Sequence, residues 1–432
     1  MSPTAILTPR YRWTILAVGV AAQASLSAVT MGLPALAPAL RDAFGLSLVQ
    51  VGLLLASVNW GSVLTLIAWG ALADRIGERA VIATGLAGGS LALACATLVS
   101  SFGGLLIALA ITGGLAASSA AASGRAVMGW FGRSERGFAL GIRQMAVPLG
   151  GAVGSLSLPL AVHLGGLDAA LWLLAGGCAL GASVAAVWIR EPPPAPADRP
   201  KVDAPPPLRD RRVWRLAGGS ALIVCAQVAL LAFVVLFLHD ERGVSPGAAA
   251  GALAAIQVGG ALARLAAGRV SDRRGRRIAP VRHLALATVV CLTGVAALAD
   301  APLWLLLPVL LLAGVSAMSW NGLAFTATAE LAGRAQAGTA LGLQGTILRL
   351  PQAGMGVLFG AFVASSSWAA AFAGLAVLPL AGWLLLRPLE SEEEGRIAAR
   401  DARRTTNRSP ASPEGPVIGH VGASERSSGG VA

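Results

Sequence analysis

The stretch "GALADRIGERA", Gly70 to Ala80, ends an apolar segment with an Asp, two Args and a Glu. The chain repeats it 198 residues later as "GRVSDRRGRRI", Gly268 to Ile278, so that Gly70, Asp74, Gly77 and Arg79 fall on Gly268, Asp272, Gly275 and Arg277. A second pair, "GFALGI" from Gly137 and "GTALGL" from Gly338, repeats at an offset of 201. Two offsets so close to half the chain length mark a duplication. Parallel repeats of this kind place two bundles face to face across a cleft.

The segments between these turns are made for lipid. Of 432 residues, 55% are hydrophobic and 12% charged, and the mean hydropathy is +0.71. So little charge cannot cover a soluble globule of this size. A crossing helix needs ~20 apolar residues. Twelve segments qualify: 13–38, 48–70, 80–100, 103–127, 137–161, 167–189, 213–238, 246–269, 280–299, 302–325, 338–364 and 367–386. None shows the alternation of a barrel strand, and backbone in lipid must satisfy its own hydrogen bonds, so the spans are helical. The fold class is an all-α membrane protein with twelve transmembrane helices in two pseudo-symmetric six-helix bundles. The first segment exceeds a signal-peptide core, and Pro38 after "ALA" makes a poor cleavage site, so it reads as a retained span. Cys95, Cys178, Cys225 and Cys291 all lie inside spans, widely spaced, and read as packing residues rather than a disulfide or zinc framework.

The net charge of +12 comes almost entirely from arginine, Lys201 being the sole lysine. These charges sit in alternate loops: Arg10 and Arg12, Arg75 and Arg79, Arg133 and Arg136, Arg199 to Arg215, Arg273 to Arg282, Arg334 and the tail. The opposite loops hold only Arg41 and Arg242. Orientation explains this better than nucleic-acid binding, and it puts both termini in the cytoplasm. The Pro-rich stretch Glu191 to Arg212 reads as a linker. The expected organisation is an N-terminal bundle over 1–190, a linker over 191–212, a C-terminal bundle over 213–388 and a cytoplasmic tail over 389–432. In that tail "ESEEEGRIAARDARR" forms a short helix and the remainder lacks the composition to fold.

With these residues in place, the chain resembles the major facilitator superfamily of transporters over about 375 residues, Arg12 to Leu386. The family's loop signature, G-x-L-A-D-R-x-G-R-R, is met by Gly70, Leu72, Ala73, Asp74, Arg75, Gly77 and Arg79, with Glu78 in place of a basic residue. Gly268, Ser271, Asp272, Arg273, Gly275, Arg276 and Arg277 supply the second copy, and "WFGRSERGFALGI" from Trp130 resembles the family's entry to span five. The resemblance implies that Gly70, Asp74, Arg75, Gly77, Arg79, Gly268, Asp272, Arg273, Gly275 and Arg277 latch the cytoplasmic side in the outward-open state. Physically, Gly70 and Gly268 allow close backbone approach, Gly77 and Gly275 allow positive φ, and the carboxylates accept bonds from helix N-termini and arginines. The chain also departs from the family. Ala110 stands where span four often carries a proton-coupling Arg, and "AVPLGGAVG" around Pro148, Gly150 and Gly151 only partly matches the drug-antiporter pattern.

Charge inside a bilayer is costly and therefore points to function. No Asp or Glu lies well inside a span, but Arg143, Arg264 and Arg349 do. Arg349 is eleven residues past Gly338, ~16 Å along a helix and so near the midplane. Asn59, Gln227, Gln257 and Asn321 are candidate ligand-facing amides, and Trp60 and Trp320 a candidate aromatic wall. Asn59 and Gln257 are repeat equivalents. His163 and His239 fall in external loops. No nucleophile–base pair, metal motif or phosphate loop appears, so neither enzyme activity nor a cofactor is expected.

The reading is a secondary transporter of the inner membrane, working by alternating access on a small organic anion such as a carboxylate. Guanidinium pairs with carboxylate, and these arginines have no membrane acid to neutralise them. Its expected partners are the lipid bilayer, the small anionic substrate and a proton or counter-ion, with a monomer favoured and no nucleic acid. Efflux of drugs or hydrophobic metabolites is the alternative, and a non-transporting sensor on the same scaffold a third.

Overall fold

The computed structural model describes residues 10–131, 135–190 and 209–406, with the side chains of Asp74, 136–138, 333–338 and 400–406 left aside. The linker expected at 191–212 therefore falls mostly outside the described residues, as does the tail beyond 406. Met1–Glu390 forms one compact unit and Ser391–Ala432 a second.

Among the described residues, eleven helical stretches are long and apolar enough to cross a membrane. One of them, Ala139–Trp188, has 50 residues, or ~75 Å if straight, far more than one crossing needs. It turns at Gly165 and Gly166, the latter at φ +73°, between the expected spans five and six. The crossings are thus twelve. In chain order the helices are α1 (Tyr11–Gly32), α2 (Ala37–Phe44), α3 (Leu48–Ile76), α4 (Glu78–Ala96), α5 (Phe102–Trp130), α6 (Arg136–Trp188), α7 (Arg211–Leu236), α8 (Pro246–Arg274), α9 (Ile278–Ala297), α10 (Leu303–Ser319), α11 (Asn321–Ser365) and α12 (Trp368–Thr406). The first crossing joins α1 to α2 through a tight 3₁₀ turn at Leu33–Leu36, where Pro34 removes a donor. The tail sequence "ESEEEGRIAAR" is helical without a break from α12.

Local sequence sets the helix starts. Ser47 and Gln50 form a reciprocal capping box at α3, which satisfies two donors that the helix would otherwise leave free. Ser101 caps α5, and Ser245 with Pro246 opens α8. Asp210 caps α7 by accepting from the Arg212 N–H at 2.8 Å. The Arg212 guanidinium bonds the same carboxylate and holds it below the usual carboxylate range, against the opposing effect of burial.

Two ends of the bundle are useful landmarks. The basic end carries the turns at Gly77 and Gly275, and the far end carries Arg41 and Asp240. At the far end α3 meets α11 backbone to backbone. A Cβ on Gly52 would lie 2.5 Å from the Gly356 carbonyl oxygen, and one on Gly360 2.7 Å from that of Leu48. Glycine alone permits this approach. Phe233, Phe237, Phe359, Trp368 and Phe372 pack beside it, with ring centroids 5.0–6.4 Å apart. Of the cysteines, Cys178 is buried, but Cys95 lies on an exposed face and packs little.

Candidate functional site

The two charged turns adopt the backbone their glycines suggest: Gly77 has φ +83° and Gly275 φ +63°, a region that any side chain would strain. Gly70 and Gly268 correct the expectation of close approach. A Cβ at either would meet nothing within 4 Å, because the halves are drawn together at the other end of the bundle.

Each turn is tied within its own half. Glu78 accepts from Arg125 of α5 at 2.9 Å. In the second copy, Arg277 pairs with Asp272 and with Glu330 of α11, the latter at 3.0 Å. Acid on the turn and base on the helix in one half become base on the turn and acid on the helix in the other. Burial would lower the Arg277 guanidinium; the bond to Asp272 and the charge of Glu330 outweigh it and raise it. Arg75, Arg79 and Arg273 are exposed. The Asp74 side chain lies outside the described residues.

The halves meet from the far end to mid-depth. Arg41 forms an ion pair with Asp240. The Trp60 indole donates to the Ala353 carbonyl. Gln257 donates to Ser155 Oγ at 2.9 Å and to the Met31 carbonyl at 3.3 Å. Its Oε1 sits over Gly151, where a Cβ would come within 1.7 Å. Two expectations change here. Gln257 is fully buried and serves as a tie between halves, and Trp60 is a brace between α3 and α11.

Just beneath these ties lies a cavity of about 50 Å³ lined by Thr30, Asn59, Gln227, Gln352, Gly356 and neighbouring apolar residues of α1, α3, α7 and α11. Two helices from each half contribute. Asn321 donates to Gln227 Oε1 at 3.1 Å, so three of the expected amides converge. The volume suits a water molecule or two rather than an organic solute. Trp320 does not join them. It is fully buried in the C-terminal half against Leu216, Leu323 and Leu348, and so belongs to the core.

The three arginines lie on the basic side of the ties. Arg143, nearly buried, donates to Ser123 Oγ at 2.9 Å, Gln23 Oε1 at 3.0 Å, Gln144 Oε1 at 3.1 Å and the Ala120 carbonyl at 3.4 Å. Every one of these partners is neutral. Arg264 donates to the Met318 carbonyl at 2.9 Å, while its Nε is buried without a partner. Arg349 is half-buried and has no hydrogen-bond or ion-pair partner among the described residues. A Cβ on Gly345, one turn away, would meet nothing within 4 Å. The Gly345 face itself is thus uncrowded.

Sequence reasoning did not single out Ser123 and Gln144 as arginine partners, or Thr30 as a cavity residue. Gln144, adjacent to Arg143 in sequence, was the available signal. His239, read from sequence as a loop residue, lies in the helical run Phe237–Glu241 and is half-buried, with Nδ1 2.9 Å from the Val244 carbonyl oxygen. His163 is exposed.

Comparison with known proteins completes the picture. Residues 18–354 match the pattern of the Major Facilitator Superfamily. An uncharacterized MFS-type transporter of Mycobacterium tuberculosis is 36% identical over 398 residues, covering 91% of this chain and 89% of that one. A protein of Arabidopsis thaliana named probable anion transporter 4, chloroplastic, is 32% identical over 162 residues, 35% of this chain and 28% of its own. The crystal structure of a bacterial homolog to the human lysosomal transporter Spinster, in an inward-facing and unoccupied conformation, superposes with a TM-score of 0.69 at 17% identity, over 94% of this chain and all of that one. The turns, the twelve crossings and these relatives agree: the chain belongs to the major facilitator superfamily.

Proposed function

We propose that this transporter carries a small organic anion, a carboxylate by preference, with Arg349 as the group that holds its charge. The observation that carries the reading is Arg349, half-buried and without a hydrogen-bond or ion-pair partner among the described residues. A cation at membrane depth must find a counter-charge. Among the described residues, the carboxylates sit in loops or near span ends, and none faces the three arginines. Arg264, with its orphan Nε, and Arg143, ringed by neutral oxygens, add positive potential from both halves. Asn59 and Gln227, with Asn321 bonded to Gln227, border a space with room only for water in this conformation, and the three contact the uncharged part of the solute once that space widens. The partial likeness to a plant protein named as an anion transporter agrees with this class.

The arginine-rich loops favour the cytoplasmic side of the inner membrane for the basic end, and with it both termini. The ties at Arg41–Asp240, Trp60–Ala353 and Gln257–Ser155 then seal the outer side, with the arginines on the cytoplasmic side of that seal. In the opposite state the turns at Asp74 and Asp272 take over as the latch. The 1–190 and 213–388 halves rock about the solute, and a proton or counter-ion accompanies it.

Uptake into proteoliposomes tests the class. Purified protein should exchange radiolabelled mono- and dicarboxylates against a preloaded anion and ignore lipophilic cations. Transport of lipophilic cations with no carboxylate flux would replace this reading by drug efflux. No flux of any solute would favour the sensor.

A further inference from the structure

A second cationic pocket lies far from the transport path, on the outer flank of the N-terminal half. It holds about 520 Å³ between the start of α4 and the end of α6, with Gly77, Glu78, Arg79, Thr84, Ile189 and Arg190 on its walls. Arg79 is exposed and has no hydrogen-bond or ion-pair partner among the described residues. Arg190 reaches only the neighbouring Ile189 carbonyl, at 3.4 Å. The acid on its walls, Glu78, is engaged by Arg125 at 2.9 Å, so that among the described residues nothing compensates the charges of Arg79 and Arg190. The first N–H groups of α4 open beside them without a side-chain cap, which adds to the attraction for an anion.

The surroundings name the occupant. Two aromatic side chains fix the end of α6: Tyr11 donates to the Trp188 carbonyl at 2.7 Å and Trp130 to the Arg190 carbonyl at 3.1 Å. Such residues mark the membrane–water boundary. Away from the arginines the exposed surface turns apolar: Leu91 on α4, Leu180 and Val187 on α6, and Ile76 at the rim. Leu180 and Val187 lie seven apart on one face, with Arg190 a further turn along. A soluble anion uses only the arginines. A phosphodiester with acyl chains uses both the arginines and the apolar face below them.

We propose that this pocket binds the headgroup of an anionic membrane phospholipid, with Arg79 and Arg190 on the phosphate and the acyl chains along α4 and α6. The inference does not depend on the anion-transport reading: it uses none of the substrate-site residues, although Gly77 and Arg79 also belong to the expected cytoplasmic latch.

The test is lipid retention by the full chain, read by native mass spectrometry after purification in phosphatidylglycerol or phosphatidylcholine. Wild type should keep phosphatidylglycerol selectively. The double variant Arg79→Gln/Arg190→Gln should keep roughly tenfold less of it, with phosphatidylcholine unchanged, and Arg190→Lys should largely restore retention. A melting temperature in lipid-free detergent equal to wild type confirms that the double variant is folded. Equal phosphatidylglycerol retention by the folded double variant would overturn the proposal. So would displacement of the lipid by inorganic phosphate alone, which would mark a site for free anions.

Discussion

The carboxamide of Gln257 on α8 donates to Ser155 Oγ on α6 at 2.9 Å, and its Oε1 lies against Gly151 with no room for a side chain. One residue thus joins the halves at mid-depth by both a hydrogen bond and shape. Gln257→Ala removes both bonds, worth ~0.5–1.5 kcal/mol each, and should shift the population toward a far-end-open state by about tenfold. Spin labels at the exposed Asp42 and Glu241 report this. A distance distribution like that of wild type would deny Gln257 its role. Gly151→Val should shift the same distances by pushing the amide out.

Gly52 and Gly356 offer an independent handle on the same closure. A branched side chain in Gly52→Val would fall on the Gly356 carbonyl, so the α3–α11 contact could not form. Transport per molecule at the membrane should fall at least tenfold while insertion stays normal. Flux at the wild-type rate, with expression matched, would mean that α3 and α11 need not meet in the cycle.

The turn pairs predict a charge swap. Glu78→Arg should slow transport by losing its partner on α5, and Arg125→Glu added to it should recover part of the rate. The geometry of the second copy, Arg277 with Glu330, already has that polarity. The same flux assay checks it. A double variant no better than the worse single variant would show that the pair does not act through its charge. Asp74→Asn should likewise slow transport without harming insertion, if Asp74 belongs to the latch.

Coupling follows from where the carboxylates are. Among the described residues no Asp or Glu lies deep in a crossing, so any proton enters with the solute or through a peripheral group. The pH profile of uptake should therefore move with the acidity of the solute. Profiles identical for carboxylates of different pKa would point to a titrating side chain instead.

The fold was legible because lipid enforces simple rules. Apolar length gave the crossings, and Gly165–Gly166 turned the longest helix where the fifth and sixth spans were expected to part. Gly77 and Gly275 were legible as turn glycines because positive φ is a local property. Side-chain partners were less so. Trp60 and Trp320 look alike in sequence beside Asn59 and Asn321, yet one braces α11 and the other fills a core. Periodicity gives a helical face, not the helix across from it. Gly70 and Gly268 were read as close contacts because small residues allow helices to approach in lipid, yet a Cβ at either meets nothing within 4 Å. Arg143 was singled out as a membrane arginine and Gln144 stands next to it in the chain, but Gln23 and Ser123 come from α1 and α5, and no sequence spacing brings them to it.

Binding tests whether Arg349 holds the anion. Calorimetry with the transported carboxylate on purified protein should find Arg349→Lys weaker by about 1–3 kcal/mol, because the charge remains while the planar fork is lost. Arg349→Gln, folded by the criterion of its melting curve, should bind the anion barely or not at all. Wild-type affinity in Arg349→Gln would contradict the account and move the anion site elsewhere in the bundle.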